Sequence, residues 1–189
     1  MKSIYLADLA AHRELLQNLD ALDERVTLAG ARMAEALHGG GKILLCGNGG
    51  SAADCQHVAS ELTGRFVNDR RALAAIALTT DSSALTSIAN DYAFDDVFAR
   101  QVKALGRAGD VLIAISTSGR SRNVVRAVDA ARELSMTTIG LLGRDGGELR
   151  DRCDVSITVP SESTARIQEV HIMIGHSLCG IVERALELG

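Results

Sequence analysis

Three stretches of this sequence combine residue types and spacings that could do chemistry. Gly47-Asn48-Gly49-Gly50-Ser51-Ala52 is a glycine turn after an apolar run, and it opens a helical pattern. Ser116-Thr117-Ser118-Gly119-Arg120-Ser121 stands in the same place after a later apolar run. His57 and Glu61 lie four residues apart in the helix that follows the first turn. On a helix such a pair shares a face about 40° from alignment. A histidine and a carboxylate so placed could hold a metal or work as an acid–base pair. The same spacing also occurs in exposed pairs that do nothing.

The two turns invite different ligands. Read literally, the first satisfies the dinucleotide fingerprint GxGxx(G/A), but that fold wants an acidic residue closing its second strand about 20 residues on. Here that stretch holds Arg65 to Asp69, before the second strand begins, so a dinucleotide site is disfavoured. A Walker loop is excluded because no Gly-Lys-Ser/Thr occurs. The second turn offers four hydroxyls in six residues, free amides at a helix N-terminus and a glycine able to take positive φ. A helix cap needs only one hydroxyl. Four of them point to a phosphate monoester.

The last helix carries a second set of polar candidates. Gln168 and His176 are eight residues apart, about 80° around a helix and roughly 12 Å along it. They could reach one ligand by leaning together, or serve sites assembled from different subunits. His171 competes with them on the same helix, as a substrate contact or as a partly buried or interface histidine. His12 and His38 read as surface residues.

These groups need a scaffold, and the apolar pattern supplies one. Residues 5–38 show helical spacing with a break near 18–21 and a stop at Gly39-Gly40-Gly41. Strands are expected at 42–46, 74–78, 110–115, 137–142 and 155–159. Helices are expected at 51–64, 83–89, 94–105, 121–134 and 163–188. Strand and helix in succession, with strands that run apolar without alternation, imply an α/β fold. It is a doubly wound, mostly parallel five-stranded sheet flanked by helices, with an N-terminal helical extension. In such folds ligands bind beyond the C-terminal ends of the strands. No linker or repeat interrupts residues 1–189, so a single domain is expected. Residues 1–38 carry more apolar surface than one sheet face needs, which suits either packing on the sheet or subunit contacts.

Composition narrows the function. The 189 residues carry a net charge of -4 and only five aromatics, with no Trp. A polyanion binder and readout by stacked bases are both disfavoured, so no nucleic-acid partner is expected. No apolar run approaches 18 residues, and no membrane partner is expected. The residues from Met1 to Leu9 lack a signal-peptide pattern, and the four scattered cysteines read as reduced thiols, which suits the cytoplasm.

The segments GNGGSAADCQHVASELTGRF, ANDYAFDDVF, ISTSGRS and RIQEVHIMIGH, in this order over about residues 40–189, resemble the phosphoheptose isomerase family of the sugar isomerase (SIS) fold. The resemblance implies a homotetramer with active sites between subunits, converting D-sedoheptulose 7-phosphate to D-glycero-D-manno-heptose 7-phosphate. It implies that Asn48, Gly49, Gly50, Ser51, Glu61, Asn90, Asp91 and Gln168 contact the sugar. Ser116, Thr117, Ser118 and Ser121 would hold the phosphate. One Zn2+ per subunit would be held by His57, Glu61, Gln168 and His176, with Glu61 and His176 also the catalytic acid–base pair. Some relatives have an acidic residue where this chain has Ala165, so any role of that carboxylate is missing here. A related SIS group is a non-catalytic scaffold for the bacterial replication initiator, and a sugar-phosphate sensor is a further alternative. Glu61 and His176, both kept, argue for the enzyme.

Overall fold

The computed structural model describes residues 3–188. Two helices, α1 (Ile4–Leu16) and α2 (Asp23–His38), are separated by a short 3-10 turn at Asp20–Leu22, where the sequence placed its break. Strand and helix then alternate: β1 (Ile43–Gly47), α3 (Gly50–Thr63), β2 (Ala75–Ala77), α4 (Ser82–Asp91), α5 (Ala99–Leu105), β3 (Val111–Ser116), α6 (Arg122–Glu133), β4 (Thr137–Gly143), β5 (Val155–Val159) and α7 (Thr164–Ala185). The five strands form one sheet in the order β2-β1-β3-β4-β5, and every pairing is parallel.

Side-chain alternation along the central strands divides the core between two faces. Ile43, Leu45, Ile113 and Ile115 point to the face covered by α2, α3 and α7. Leu44, Cys46, Leu112 and Ala114 point to the face covered by α5 and α6. Burying each such Leu or Ile contributes about 1.5–3 kcal/mol, so the central strands must be apolar on both sides. The edge strand β5 departs from the continuous apolar pattern expected of it. Val155, Ile157 and Val159 are buried while Ser156 and Thr158 are partly exposed, because helices cover only one of its faces. The N-terminal segment divides likewise. Helix α2 buries Ala29, Met33, Ala34 and Leu37 and is integral to the core, whereas α1 buries only Leu15. Ile4, Tyr5 and Leu6 of α1 are exposed. Among the described residues no helix is long and apolar enough to cross a membrane.

The long helix α7 lies against α3 at a separation that glycine permits. A Cβ on Gly175 would sit 2.7 Å from Cγ2 of Val58, and one on Gly50 would sit 2.5 Å from Nε2 of Gln168. Since 50 faces 168 and 58 faces 175, the two helices run parallel and nearly in step.

His171 on α7 is a core residue, neither a surface group nor a substrate contact. Its ring is 1% exposed, and Nε2 donates to the Leu142 carbonyl of β4 at 2.9 Å while Nδ1 has no partner. Burial pulls its pKa from 6.5 down to about 4, although the bond to Leu142 works the other way. Between those values the unfolded chain binds the proton and the folded chain does not. Stability therefore falls as pH drops from 6.5 to 4, by up to about 3 kcal/mol. Urea unfolding of wild type and His171→Gln across that window should show a flatter pH dependence for the variant; parallel curves would overturn this account.

Candidate active site

The strand order reverses between β1 and β3: the chain leaves β1 towards β2 on one side and leaves β3 towards β4 on the other. This is the topological switch point, where the loops diverge and leave a crevice. The turn after β1 and the turn after β3 both open there, so the N-termini of α3 and α6 face one space.

The first turn holds Asn48, Gly49, Gly50 and Ser51. Ser51 is buried, and its amide donates to the Asn48 carbonyl at 3.0 Å. In the second turn Ser116 and Ser121 share a 3.0 Å hydroxyl contact, and Ser118 Oγ accepts from the Arg120 amide. Thr117 lies half-buried between them. Ser121 caps α6 by position, but its hydroxyl bonds to no α6 amide; its carbonyl takes the amides of Val124 and Val125, which leaves those of Arg122 and Asn123 without a backbone partner. The Arg120 guanidinium grips Asp145 at 2.6 and 2.9 Å. Gly119 is obligatory: its φ is +64°, and a Cβ there would lie 1.9 Å from the Gly146 carbonyl oxygen.

The second cluster arises from the α3–α7 contact. Nε2 of His57 is 3.0 Å from Nε2 of His176 and 3.2 Å from Oε1 of Glu61. The three ligand atoms lie within 4.8 Å of one another. Two imidazoles and one carboxylate are a donor set for a borderline divalent ion. Two nitrogens bound to one tetrahedral zinc stand about 3.3 Å apart, so the observed 3.0 Å fits such an ion with a small outward shift. Gln168, expected with this trio, instead has its amide against Gly50 at the head of α3. That point is seven residues before His57, roughly 10 Å along the helix axis. Asn90 and Asp91 lie exposed at the end of α4, where their side chains bond to each other at 2.8 Å.

Several contributors escape a reading of the sequence. Phe66 stacks on the His176 ring, with centroids 5.6 Å apart and planes 18° apart. The segment carrying Phe66 is pinned by Glu183 of α7, which accepts from the amides of Phe66 and Val67 and from Arg70 Nε at 2.8 Å. Arg70 in turn donates to the carbonyls of Glu61, Leu62 and Gly64, which closes the C-terminal end of α3. Burial pushes the Glu183 carboxyl up, but Arg70 and the amides outweigh it and hold it below the usual carboxylate range. Asp54 shares the α3 face with Gly50, His57 and Glu61. Its Oδ2 is buried without a partner, and burial raises its pKa against the pull of His57. Asn123, inside the first turn of α6, joins Asn48. His12 also differs from expectation: it is half-buried, with Nδ1 2.7 Å from Oε2 of Glu169. Exposed His38 ends α2.

A parallel five-stranded sheet with a hydroxyl nest at its switch point defines a phosphosugar-type SIS domain, and residues 8–143 match the SIS domain family. The chain is 52% identical to the phosphoheptose isomerase of Aliarcobacter butzleri over 187 residues, 98% of this chain and 99% of that protein. It is 61% identical to that of Nitratiruptor sp. over 80% of this chain and 81% of the relative. The structure of phosphoheptose isomerase GmhA from Neisseria gonorrhoeae superposes with a TM-score of 0.91 at 50% identity, covering 95% of this chain and 97% of that one. The chain belongs to the phosphoheptose isomerase family.

The Arg70–Glu183 pair, 2% and 4% exposed, supports both His176 and the end of α3. Removing one partner of a buried pair typically costs about 3–5 kcal/mol. Arg70→Met should lower unfolding stability by that order in a denaturant titration, and a wild-type midpoint would show that the pair does not hold this segment.

Proposed function

We propose that this protein is a phosphoheptose isomerase, interconverting D-sedoheptulose 7-phosphate and D-glycero-D-manno-heptose 7-phosphate. The observation that carries the reading is the meeting of His57, Glu61 and His176 on the α3–α7 face, in a chain that also builds an anion nest at its switch point. Ser116, Thr117, Ser118 and Ser121, with the α6 amides, receive the phosphate, where the helix dipole favours a dianion. Asn48, Gly49, Gly50, Ser51, Asn90, Asp91 and Gln168 contact the sugar hydroxyls.

An aldose–ketose interconversion moves one proton between C1 and C2 and the carbonyl in the opposite sense. Glu61 takes the proton from C1 of the ketose, and O2 gains one, which leaves an enediol. Return of a proton to C2, with loss of the O1 proton, gives the aldose. His176 is the partner for the hydroxyl protons, and Phe66 stacked on its ring holds its plane. A base and an oxyanion partner suffice for this chemistry. His57, Glu61 and His176 would hold one zinc ion, with a further position open to a substrate oxygen or to Gln168 of a neighbouring subunit. Bound there, zinc would polarise the substrate carbonyl as a Lewis acid. Glu61 has two carboxylate oxygens, so one can ligate while the other receives the proton.

The protein works in the cytoplasm as a homotetramer of single SIS domains spanning 1–189, with intersubunit active sites. The exposed Ile4, Tyr5 and Leu6 of α1 support subunit contacts through residues 1–38. The half-exposed His57 supports completion of the site by a neighbour. The isomerase names of relatives at 52–61% identity disfavour a non-catalytic scaffold for the replication initiator, or a sensor.

Two measurements test this reading. Purified protein should convert sedoheptulose 7-phosphate to the aldose, and Glu61→Gln should lower kcat by about 10²–10⁴-fold; full activity in that variant would remove Glu61 from the base position. Prolonged chelation should reduce turnover and zinc should restore it, whereas chelated protein free of metal and fully active would show that the ion is dispensable.

A further inference from the structure

One pair of side chains joins the two turns of the crevice. Asn48 Nδ2 donates to Asn123 Oδ1 at 2.9 Å, and Asn123 Nδ2 donates back to Asn48 Oδ1 at 2.8 Å. The two residues are 75 positions apart in sequence. Asn48 follows β1 on the sugar-facing turn, and Asn123 is the second residue of α6, directly after the hydroxyl nest. Asn123 is 3% exposed, and its helical neighbours Val124, Ala127 and Val128 are fully buried apolar residues. Asparagine is a poor helix former, and a buried amide costs stability unless it is bonded. An apolar residue would serve packing better at this position, so the amide is there for its partner.

The geometry restricts Asn48 in two ways. The paired bonds fix its side-chain rotamer, and they tie its polarity to that of Asn123. If one amide flipped alone, N–H would face N–H and oxygen would face oxygen. Each amide has two N–H donors and two carbonyl lone pairs, and the pair uses one of each. Asn48, half-buried, therefore keeps one N–H and one lone pair for a ligand, in directions that Asn123 determines.

We propose that Asn123 is a positioning residue for the isomerisation: it orients the Asn48 amide towards the sugar and locks the sugar-facing turn to the phosphate nest. Seating of the phosphate at α6 is thereby coupled to the placement of the carbon chain beyond it. The inference rests on Asn48 touching the sugar, as proposed above. It differs from a packing role because it assigns Asn123 an effect transmitted through one other side chain.

The test is a double-mutant cycle on the full-length protein with sedoheptulose 7-phosphate as substrate. Asn48→Ala, Asn123→Ala and the double variant are compared for kcat and KM, with inorganic phosphate as competitive inhibitor and thermal midpoints as a folding control. Misplacing a substrate-orienting group by about 1 Å costs up to about 100-fold in rate. Asn123→Ala should therefore lose about 10- to 100-fold in kcat/KM, mostly in kcat, with phosphate inhibition within twofold of wild type. The double variant should be no worse than Asn48→Ala alone, since Asn123 has nothing left to orient. Asn123→Asp is isosteric and covers the case in which the alanine variant folds poorly. Its carboxylate can accept from Asn48 but cannot donate, and it places a negative charge beside the nest, so it should lose kcat and weaken phosphate inhibition together. Losses that multiply in the double variant would overturn the proposal, as would wild-type kcat/KM in both Asn123 variants beside an impaired Asn48→Ala. A silent Asn48→Ala, or wild-type protein without turnover, would instead overturn the reading of the site on which the proposal stands.

Discussion

The distance between α3 and α7 is the constraint from which the site follows. Two helices pack at 8–10 Å depending on the side chains between them, and here the contact is narrowed by Gly50 facing Gln168 and Gly175 facing Val58. A Cβ at position 175 would overlap the short, stiff Val58 side chain, so the register allows little slip. With that register, residue 57 on one helix meets residue 176 on the other, and Glu61 completes the trio from the next turn of α3. A shift of one residue would rotate the His176 side chain by about 100° and dissolve the cluster. The pair at 57 and 61 therefore acquires its chemistry from backbone atoms and glycines some distance from it.

Electrostatics reinforce what packing begins. Burying a carboxylate and a guanidinium costs several kcal/mol each before their attraction is counted. The Arg70–Glu183 pair offsets this with bonds beyond the ion pair itself: two amides reach Glu183, and carbonyls at the end of α3 receive the guanidinium. A cation there also complements the negative end of the α3 dipole. The strap between α3 and β2 is thus fixed at both ends, and Phe66 on that strap is laid flat on His176. Hydrophobic burial anchors this strap at Leu73, and the bonds to Glu183 set the path of the polar stretch before it.

What the sequence discloses and what it hides divide along physical lines. Continuous Ile, Leu and Val runs announce central strands because both faces are covered, and glycine turns before helices announce the crevice because backbone amides need no particular side chain. The His57–Glu61 pair is visible because helical spacing is local. Gln168 against Gly50, by contrast, depends on the register of two helices more than 100 residues apart, and spacing along α7 alone leaves it equally able to join His176. The burial of His171 is hidden for a similar reason: it depends on the Leu142 carbonyl at the end of β4, and an imidazole gives no local sign of which face it takes. The Asn48–Asn123 pair is the extreme case, since an asparagine early in a helix reads as a cap until its partner is seen.

The same geometry explains why one chain builds two partial sites. Helix α3 begins in the crevice and carries its catalytic face away from it, so His57 lies roughly 10 Å and Glu61 roughly 16 Å from Gly50 along the axis. Under the proposed reading, a phosphate seated at α6 and a reacting carbon beside Glu61 would be connected by a ligand that spans much of this distance. A long, extended sugar phosphate meets that requirement better than a compact one. The walls of such a path are α3 and α7 on one side only, and His57 remains 47% exposed. Protons transferred in that setting would exchange with bulk water, and hydrogen bonds to the enediol would be weakened by it. Excluding water would therefore require a second wall over His57. In the assembly proposed above, a neighbouring subunit laid across this face would supply that wall, and the chemistry would then depend on the same contact that covers the exposed apolar surface of α1.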